Sequence, residues 1–201
     1  MTKISIVDYG VGNLHSIRRG IELAGADARV TSDRTEIADA DAIVLPGVGA
    51  FDDAMEGLKD KLEPIMDEVR GGKPLLGICL GMQLLLTRSE EGKSMGLNII
   101  PGEVVRLPQG LKVPQMGWNS LEIRREHPII AGIAPSSYMY FIHSYYTRPK
   151  DSSTILTTTD YGIGFPSIIA RDSIIGVQFH PEKSSKIGLQ MLENFVGMVK
   201  R

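Results

Sequence analysis

Apolar residues along this chain fall into two patterns. In the first half, short runs that are apolar throughout alternate with stretches where apolar residues recur every three or four positions. Residues 42–45 are of the first kind, as expected of a strand covered on both faces, and 4–7 and 75–78 are further short, largely apolar strands. Residues 28–31 form one further short strand. Asn13 can cap a helix that places Leu14, Ile17, Ile21 and Ala24 on one buried face. A helix follows around Phe51, Met55, Leu58 and Leu62. Pro64 suits the first position of another that ends near Arg70, where Gly71-Gly72 stops it. The strand over 75–78 runs into a helix reaching Leu86. Strand–helix alternation of this sort predicts a parallel sheet with right-handed crossovers.

The second half changes character. Short strands are predicted at residues 104–107, 118–123, 138–145, 155–159, 167–171 and 174–179, joined mostly by short links holding Gly, Pro or Asp. Part of the sheet is therefore expected to be antiparallel. A last helix sets Ile187, Met191, Leu192, Phe195 and Val199 on one face. Together the two halves predict a three-layer α/β fold. The central sheet is mostly parallel, with antiparallel strands in the C-terminal half.

The bulk numbers narrow the picture. A chain of 201 residues with 42% hydrophobic content is long enough for one α/β domain, residues 1–201, with a sizeable core. A net charge of −2 and the lack of a basic run point away from nucleic acid. No run approaches the roughly 20 apolar residues of a membrane helix, and the start turns polar too soon for a signal peptide. A single cysteine forms no intramolecular disulfide and suits a reducing cytoplasm.

That cysteine carries the chemistry. Gly77-Ile78-Cys79-Leu80-Gly81 stands between a strand and a helix, the setting of a Gly-x-nucleophile-x-Gly elbow with sulfur in place of a hydroxyl oxygen. A thiol at a helix N-terminus is favoured as thiolate, so acyl transfer through a thioester is predicted. Such a nucleophile works beside a base that takes its proton and returns it to the leaving amine. Among His15, His127, His143 and His180, only His180 ends an apolar strand and opens His180-Pro181-Glu182. Extended backbone before proline would project His180 and Glu182 to one side, letting the carboxylate fix the imidazole tautomer. The developing oxyanion needs donors. One is the N–H of Leu80, and the second is expected from Pro46-Gly47-Val48-Gly49, with Val48 and Gly49 as the candidates.

With these residues in view, a resemblance emerges. The segments around Cys79 and His180, through Met82-Gln83 and Lys183-Ser184, resemble the class I (triad) glutamine amidotransferases, whose fold is flavodoxin-like. Asp8-Tyr9-Gly10-Val11-Gly12-Asn13, Leu45 to Phe51, Pro114-Gln115-Met116-Gly117-Trp118-Asn119 and Tyr140-Phe141-Ile142-His143-Ser144-Tyr145 further resemble the glutaminase subunits of imidazole glycerol phosphate synthase. The likeness spans essentially the whole chain.

It implies that Cys79 attacks the side-chain amide of L-glutamine, that His180 protonates departing ammonia and then activates water, and that Glu182 orients His180. It implies glutamine contacts at Gly49, Gln83, Glu91, Ser144 and Tyr145, with Glu91 pairing the α-ammonium. The implied partner is a (β/α)8-barrel cyclase subunit, approached by Asn13, Trp118, Tyr140, His143 and Lys183. No metal or organic cofactor is implied. A glycine-flanked 46–49 loop beside a triad is expected to be poorly set until the cyclase binds. Three rivals stay open from the sequence: a glutaminase subunit feeding another acceptor, a cysteine hydrolase acting on γ-glutamyl peptides, and a binding subunit with a decayed site.

Overall fold

A computed structural model describes residues 1–200. Its frame is an eight-stranded sheet. The parallel part contains β1 (Lys3–Val7), β2 (Asp27–Thr31), β3 (Ala42–Leu45), β4 (Leu75–Ile78) and, from the far end of the chain, β13 (Ile174–Val177), in the order β2-β1-β3-β4-β13. Then β12 (Gly164–Arg171), β11 (Ile155–Asp160) and the two-residue β8 (Glu122–Ile123) continue it antiparallel. All four residues of β3, β4 and β13 are buried, which is why these runs show no alternation.

Helices cover both faces. On one lie α1 (Leu14–Leu23) and α6 (Ser185–Val199), through Ile17, Ile21, Met191 and Phe195. On the other lie α2 (Arg34–Asp39), α3 (Phe51–Leu58), α4 (Leu62–Arg70) and α5 (Leu80–Leu84). The expected three layers are therefore present, and Asn13 caps α1 as predicted, its Oδ1 accepting from Ser16 N at 3.4 Å.

Details depart from the periodicity. α2 was not predicted, since its six residues hold one core side chain, Ile37, behind the Asp33 cap. Pro64 is the third residue of α4 rather than the first, still within the turn whose N–H groups have no helical partner. α5 stops at Leu84 instead of Leu86, because the carbonyls of Leu84, Leu85 and Leu86 accept from the N–H groups of Leu97, Ile99 and Asn98.

The strand predicted over 138–145 is two strands broken at Ser144, β9 (Tyr138–His143) and β10 (Tyr145–Pro149). They belong to different small sheets. β9 pairs with β7 (Gln115–Ser120) as a two-stranded ribbon, while β10 joins β6 (Gly102–Arg106) and β5 (Arg88–Ser89). The strand predicted over 118–123 likewise divides at Leu121, into β7 and β8.

An aromatic cluster ties the ribbon to the main sheet. Phe141 on β9 meets Phe165 on β12 edge-on at 5.8 Å and Phe179 at 5.5 Å, and the His143 ring lies 5.0 Å from Phe165. Phe165 is fully buried at the centre of this contact. Phe165→Ala should therefore cost about 3–5 kcal/mol of unfolding free energy, read from urea midpoints. A cost under about 1 kcal/mol would show that the cluster does not anchor the ribbon.

Candidate active site

Four loops meet at the carboxyl edge of the parallel strands: those after β1, β3, β4 and β13. Cys79 follows β4 with φ 54° and ψ −106°, a left-handed conformation that costs an L-residue energy. Its neighbours impose it. A Cβ on Gly81 would stand 1.9 Å from the Leu45 carbonyl oxygen, and one on Gly77 would stand 2.6 Å from that of Gly81. With neither Cβ present, the first turn of α5 lies directly on the sheet and the chain turns sharply at Cys79. The elbow is thus formed as predicted. Its sulfur sits between two groups, the Ile142 carbonyl oxygen at 3.5 Å and the Gln178 amide Nε2 at 3.7 Å.

Parallel pairing of β4 with β13 brings the base alongside. Ile78 is opposite Val177, and Cys79 N donates to Val177 O at 2.7 Å. His180 follows in extended conformation, φ −101° and ψ 97°. Glu182 does not continue that extension, as the sequence suggested. Residues Pro181–Lys183 form a 3-10 turn, and the turn returns the carboxylate to the ring. Glu182 Oε1 meets His180 Nδ1 at 2.8 Å, both side chains being at most 2% exposed. Burial pulls the His180 pKa down, but the Cys79 sulfur and the Glu182 carboxylate outweigh it, and the imidazole is pushed up to about 10. Cys79 raises the ring's pKa first as a hydrogen-bonding neighbour and then by its charge, although the buried Nε2 makes no hydrogen bond of good geometry in this structure.

Leu80 opens α5, so its N–H is one of the helix's unpaired donors. The loop over 46–50 rests against this elbow. The Tyr9 phenol donates to the Pro46 carbonyl, and a Cβ on Gly47 would stand 2.6 Å from Leu80 Cβ. Burial, and secondarily Cys79, pushes the Tyr9 pKa up, keeping the phenol a neutral donor. Gly49 takes φ +114°, where a side chain would be strained. Val48, Gly49, Cys79 and Leu80 line one cleft of about 260 Å³.

The same cleft collects the predicted substrate contacts Gln83, Glu91, Ser144 and Tyr145. Glu91 Oε2 accepts from Phe51 N at 3.0 Å, serving as the cap that Ala50 cannot supply to α3. Burial raises the Glu91 pKa against the pull of that N–H, with Asp52 and Asp53 adding to the rise. Both carbonyls at 144–145 are engaged. Ser144 O accepts from Leu107 N at 3.0 Å, and Tyr145 O accepts from Gln83 Nε2 at 3.0 Å and from His143 Nδ1 at 2.8 Å.

The residues expected toward a partner separate. Trp118 is 52% exposed and packs edge-on against Tyr140 at 5.7 Å. Tyr140 stays close to the triad, its carbonyl accepting from His180 N at 2.9 Å. Asn13 caps α1 at the exposed end of a loop whose Gly12 packs on Pro46, and Lys183 closes the 3-10 turn. His143 is different. It is buried, not on the surface, and bridges Tyr145 O and the Gln115 side chain. Burial pulls its pKa down to about 4, with the Tyr145 carbonyl opposing and His180 adding, so the ring is neutral at pH 7.

Tyr9, Ile142 and Gln178 went unassigned in the sequence. Gln178 did carry a signal: a polar side chain inside an otherwise apolar strand, two residues before His180, needs a buried partner.

Known proteins share this fold and sequence pattern. The chain matches the family model described as glutamine amidotransferase class-I over residues 5–198. The structure of PurLQS from Thermotoga maritima superposes with a TM-score of 0.78 at 16% identity, covering 98% of both chains. The family match covers nearly the whole chain, which belongs to the class-I glutamine amidotransferase family. Its full-length relatives narrow the group. It is 52% identical to the imidazole glycerol phosphate synthase subunit HisH of Syntrophotalea carbinolica, covering 97% of this chain and 100% of that one. It is also 52% identical to HisH of Archaeoglobus fulgidus, covering 98% and 100%. Within the family it stands with these HisH subunits.

The raised pKa of His180 has a consequence for stability. Between the unfolded value near 6.5 and the folded value of about 10, the native state holds a proton that the unfolded chain has released. This contribution is complete below about pH 6.5 and is lost as pH rises through about 10. Urea midpoints of the protein and of His180→Asn, measured from pH 6 to 10, should converge as pH rises. A constant gap would show that His180 is not held protonated by its neighbours.

Proposed function

We propose that the cleft hydrolyses L-glutamine to glutamate and ammonia, and that residues 1–201 act as a single amidotransferase domain. The Cys79 sulfur attacks the side-chain carbonyl carbon. The Leu80 N–H, with one from Val48 or Gly49, holds the oxygen that becomes negative. His180, which holds the proton of the Cys79–His180 pair, gives it from Nε2 to the departing ammonia, leaving a glutamyl thioester. It then takes a proton from water, which attacks the thioester and frees glutamate and the thiol. Glu182 keeps Nδ1–H occupied, so that Nε2 is always the working nitrogen. Glu91 offers a carboxylate to the substrate's α-ammonium, and Gln83 offers its side-chain oxygen.

The observation that carries this reading is convergence. The sulfur, the neighbouring imidazole and the groups suited to an amino acid line or border one small cleft, although they come from positions 48 to 182. The chain is the glutaminase subunit of imidazole glycerol phosphate synthase, which serves histidine biosynthesis. In our reading ammonia passes to a (β/α)8-barrel cyclase subunit, which makes imidazole glycerol phosphate and aminoimidazole carboxamide ribotide. The cyclase covers the cleft mouth over Trp118, Tyr140, Asn13 and Lys183. A single free thiol suits work in the cytoplasm, and no helix among the described residues is long and apolar enough to cross a membrane.

Two outcomes test the reading. Cys79→Ala should lower glutamine hydrolysis at least about 10³-fold and abolish covalent labelling by a glutamine-derived electrophile. Glutaminase rate should also rise when the cyclase and its ribonucleotide are added, as the 46–49 loop is re-aimed. Equal rates with and without the cyclase would refute that regulation while leaving the chemistry intact. Absence of any adduct, even with the cyclase, would refute the enzyme itself.

A further inference from the structure

We propose that Gln178 is a third polar partner of the nucleophile, donating a hydrogen bond to the Cys79 sulfur and locked in that role by a relay of amides that begins at the Tyr145 carbonyl. The proposal rests on the glutaminase reading above and assigns a residue outside the triad to it.

The relay has only one consistent polarity. Gln178 follows β13 and is fully buried, so both ends of its amide need partners. A backbone carbonyl can only accept. Gln83, 3.0 Å from Tyr145 O, must therefore present its nitrogen there. The second hydrogen of that nitrogen reaches Gln178 Oε1 at 3.3 Å. With its oxygen committed to Gln83, Gln178 turns its nitrogen toward the sulfur at 3.7 Å. Reversing Gln178 would set nitrogen against nitrogen at Gln83 and oxygen against the sulfur. His143 steadies the start of the relay: its Nδ1–H donates to Tyr145 O at 2.8 Å, so the neutral ring accepts at Nε2, 3.0 Å from the Gln115 amide, which must turn its nitrogen there.

The two contacts on the sulfur serve opposite states. Ile142 O can accept only from an S–H and offers the sulfur nothing once the proton of the pair rests on His180. Gln178 donates to the sulfur and so remains with it as its negative charge appears, strengthening as it does. Gln83 is placed by the same relay. Its nitrogen is fully used, which leaves Oε1 as the atom turned to a ligand in the cleft.

Gln178→Met fills similar space without a donor, and Gln178→Glu keeps the shape but donates only while its carboxyl is protonated. For Gln178→Met, alkylation of Cys79 by iodoacetamide in the full chain should slow about 10- to 100-fold. Glutaminase kcat in the complex with the cyclase should fall by a similar factor, with KM changed less than about threefold. Gln178→Glu should approach the parent rate at low pH and lose it as the carboxyl ionises, a limb that the parent protein lacks. Alkylation within about twofold of the parent, with KM raised, would overturn the proposal and leave Gln178 acting only through Gln83. A Gln178→Glu profile parallel to the parent's would overturn it in favour of space filling, and this arm decides if Gln178→Met does not fold. Parent protein that is alkylated but hydrolyses no glutamine would sink the glutaminase reading separately.

Discussion

The whole site depends on the absence of two side chains. Gly77 and Gly176 are register partners on β4 and β13. A Cβ on the first would strike the backbone of α5, and one on the second would strike the Met82 side chain at 2.6 Å. This bare pair lets α5 descend onto the sheet. That close approach leaves no room for an ordinary strand-to-helix turn, so Cys79 takes its left-handed conformation. The same pairing brings residues 79 and 178–180 together, across about half the chain. Geometry that looks like catalytic design is, at this level, a packing result.

Around that pair the molecule has buried an unusual amount of polarity. Cys79, Gln83, Gln178 and His180 are all at most 5% exposed. Burial of such groups is costly unless each is matched. The structure matches most of them internally: Glu182 to His180, Gln83 to Tyr145, Gln178 to Gln83. The neighbours that could disturb the charge balance are kept neutral by burial, Tyr9 by being pushed up and His143 by being pulled down. His180 alone is shifted toward the charged form, because its two partners outweigh its desolvation.

Much of this was legible in the residue string. Largely apolar runs marked β1, β3 and β4, with β3 apolar throughout because a strand covered on both faces needs no alternation. Gly-x-Cys-x-Gly and His-Pro-Glu marked the two segments that the sheet brings together, because each needs particular backbone freedom at particular spacing. What failed to show has physical reasons. β5 is two residues long and has no period. The chain breaks at Ser144 and Leu121 where it leaves one sheet for another, and nothing in local propensity announces a change of partner. His143 looked like a residue for the surface, but Gln115, nearly thirty positions away, pairs with it inside. The relay through Gln83 and Gln178 is likewise a product of tertiary register, invisible until both strands are in place.

The two small sheets divide labour with the large one. Sulfur, imidazole and carboxylate hang from the parallel frame, whereas the exposed Trp118 and Met116 ride on the ribbon of β7 and β9. The ribbon's buried side is tied to that frame through His180 N to Tyr140 O, the Cys79 sulfur to Ile142 O, and Phe141 against Phe165 and Phe179. One ribbon therefore has two faces under different constraint: a change at Trp118 or Met116 meets solvent, whereas a change at Phe141 or His143 is felt at the sulfur and the imidazole.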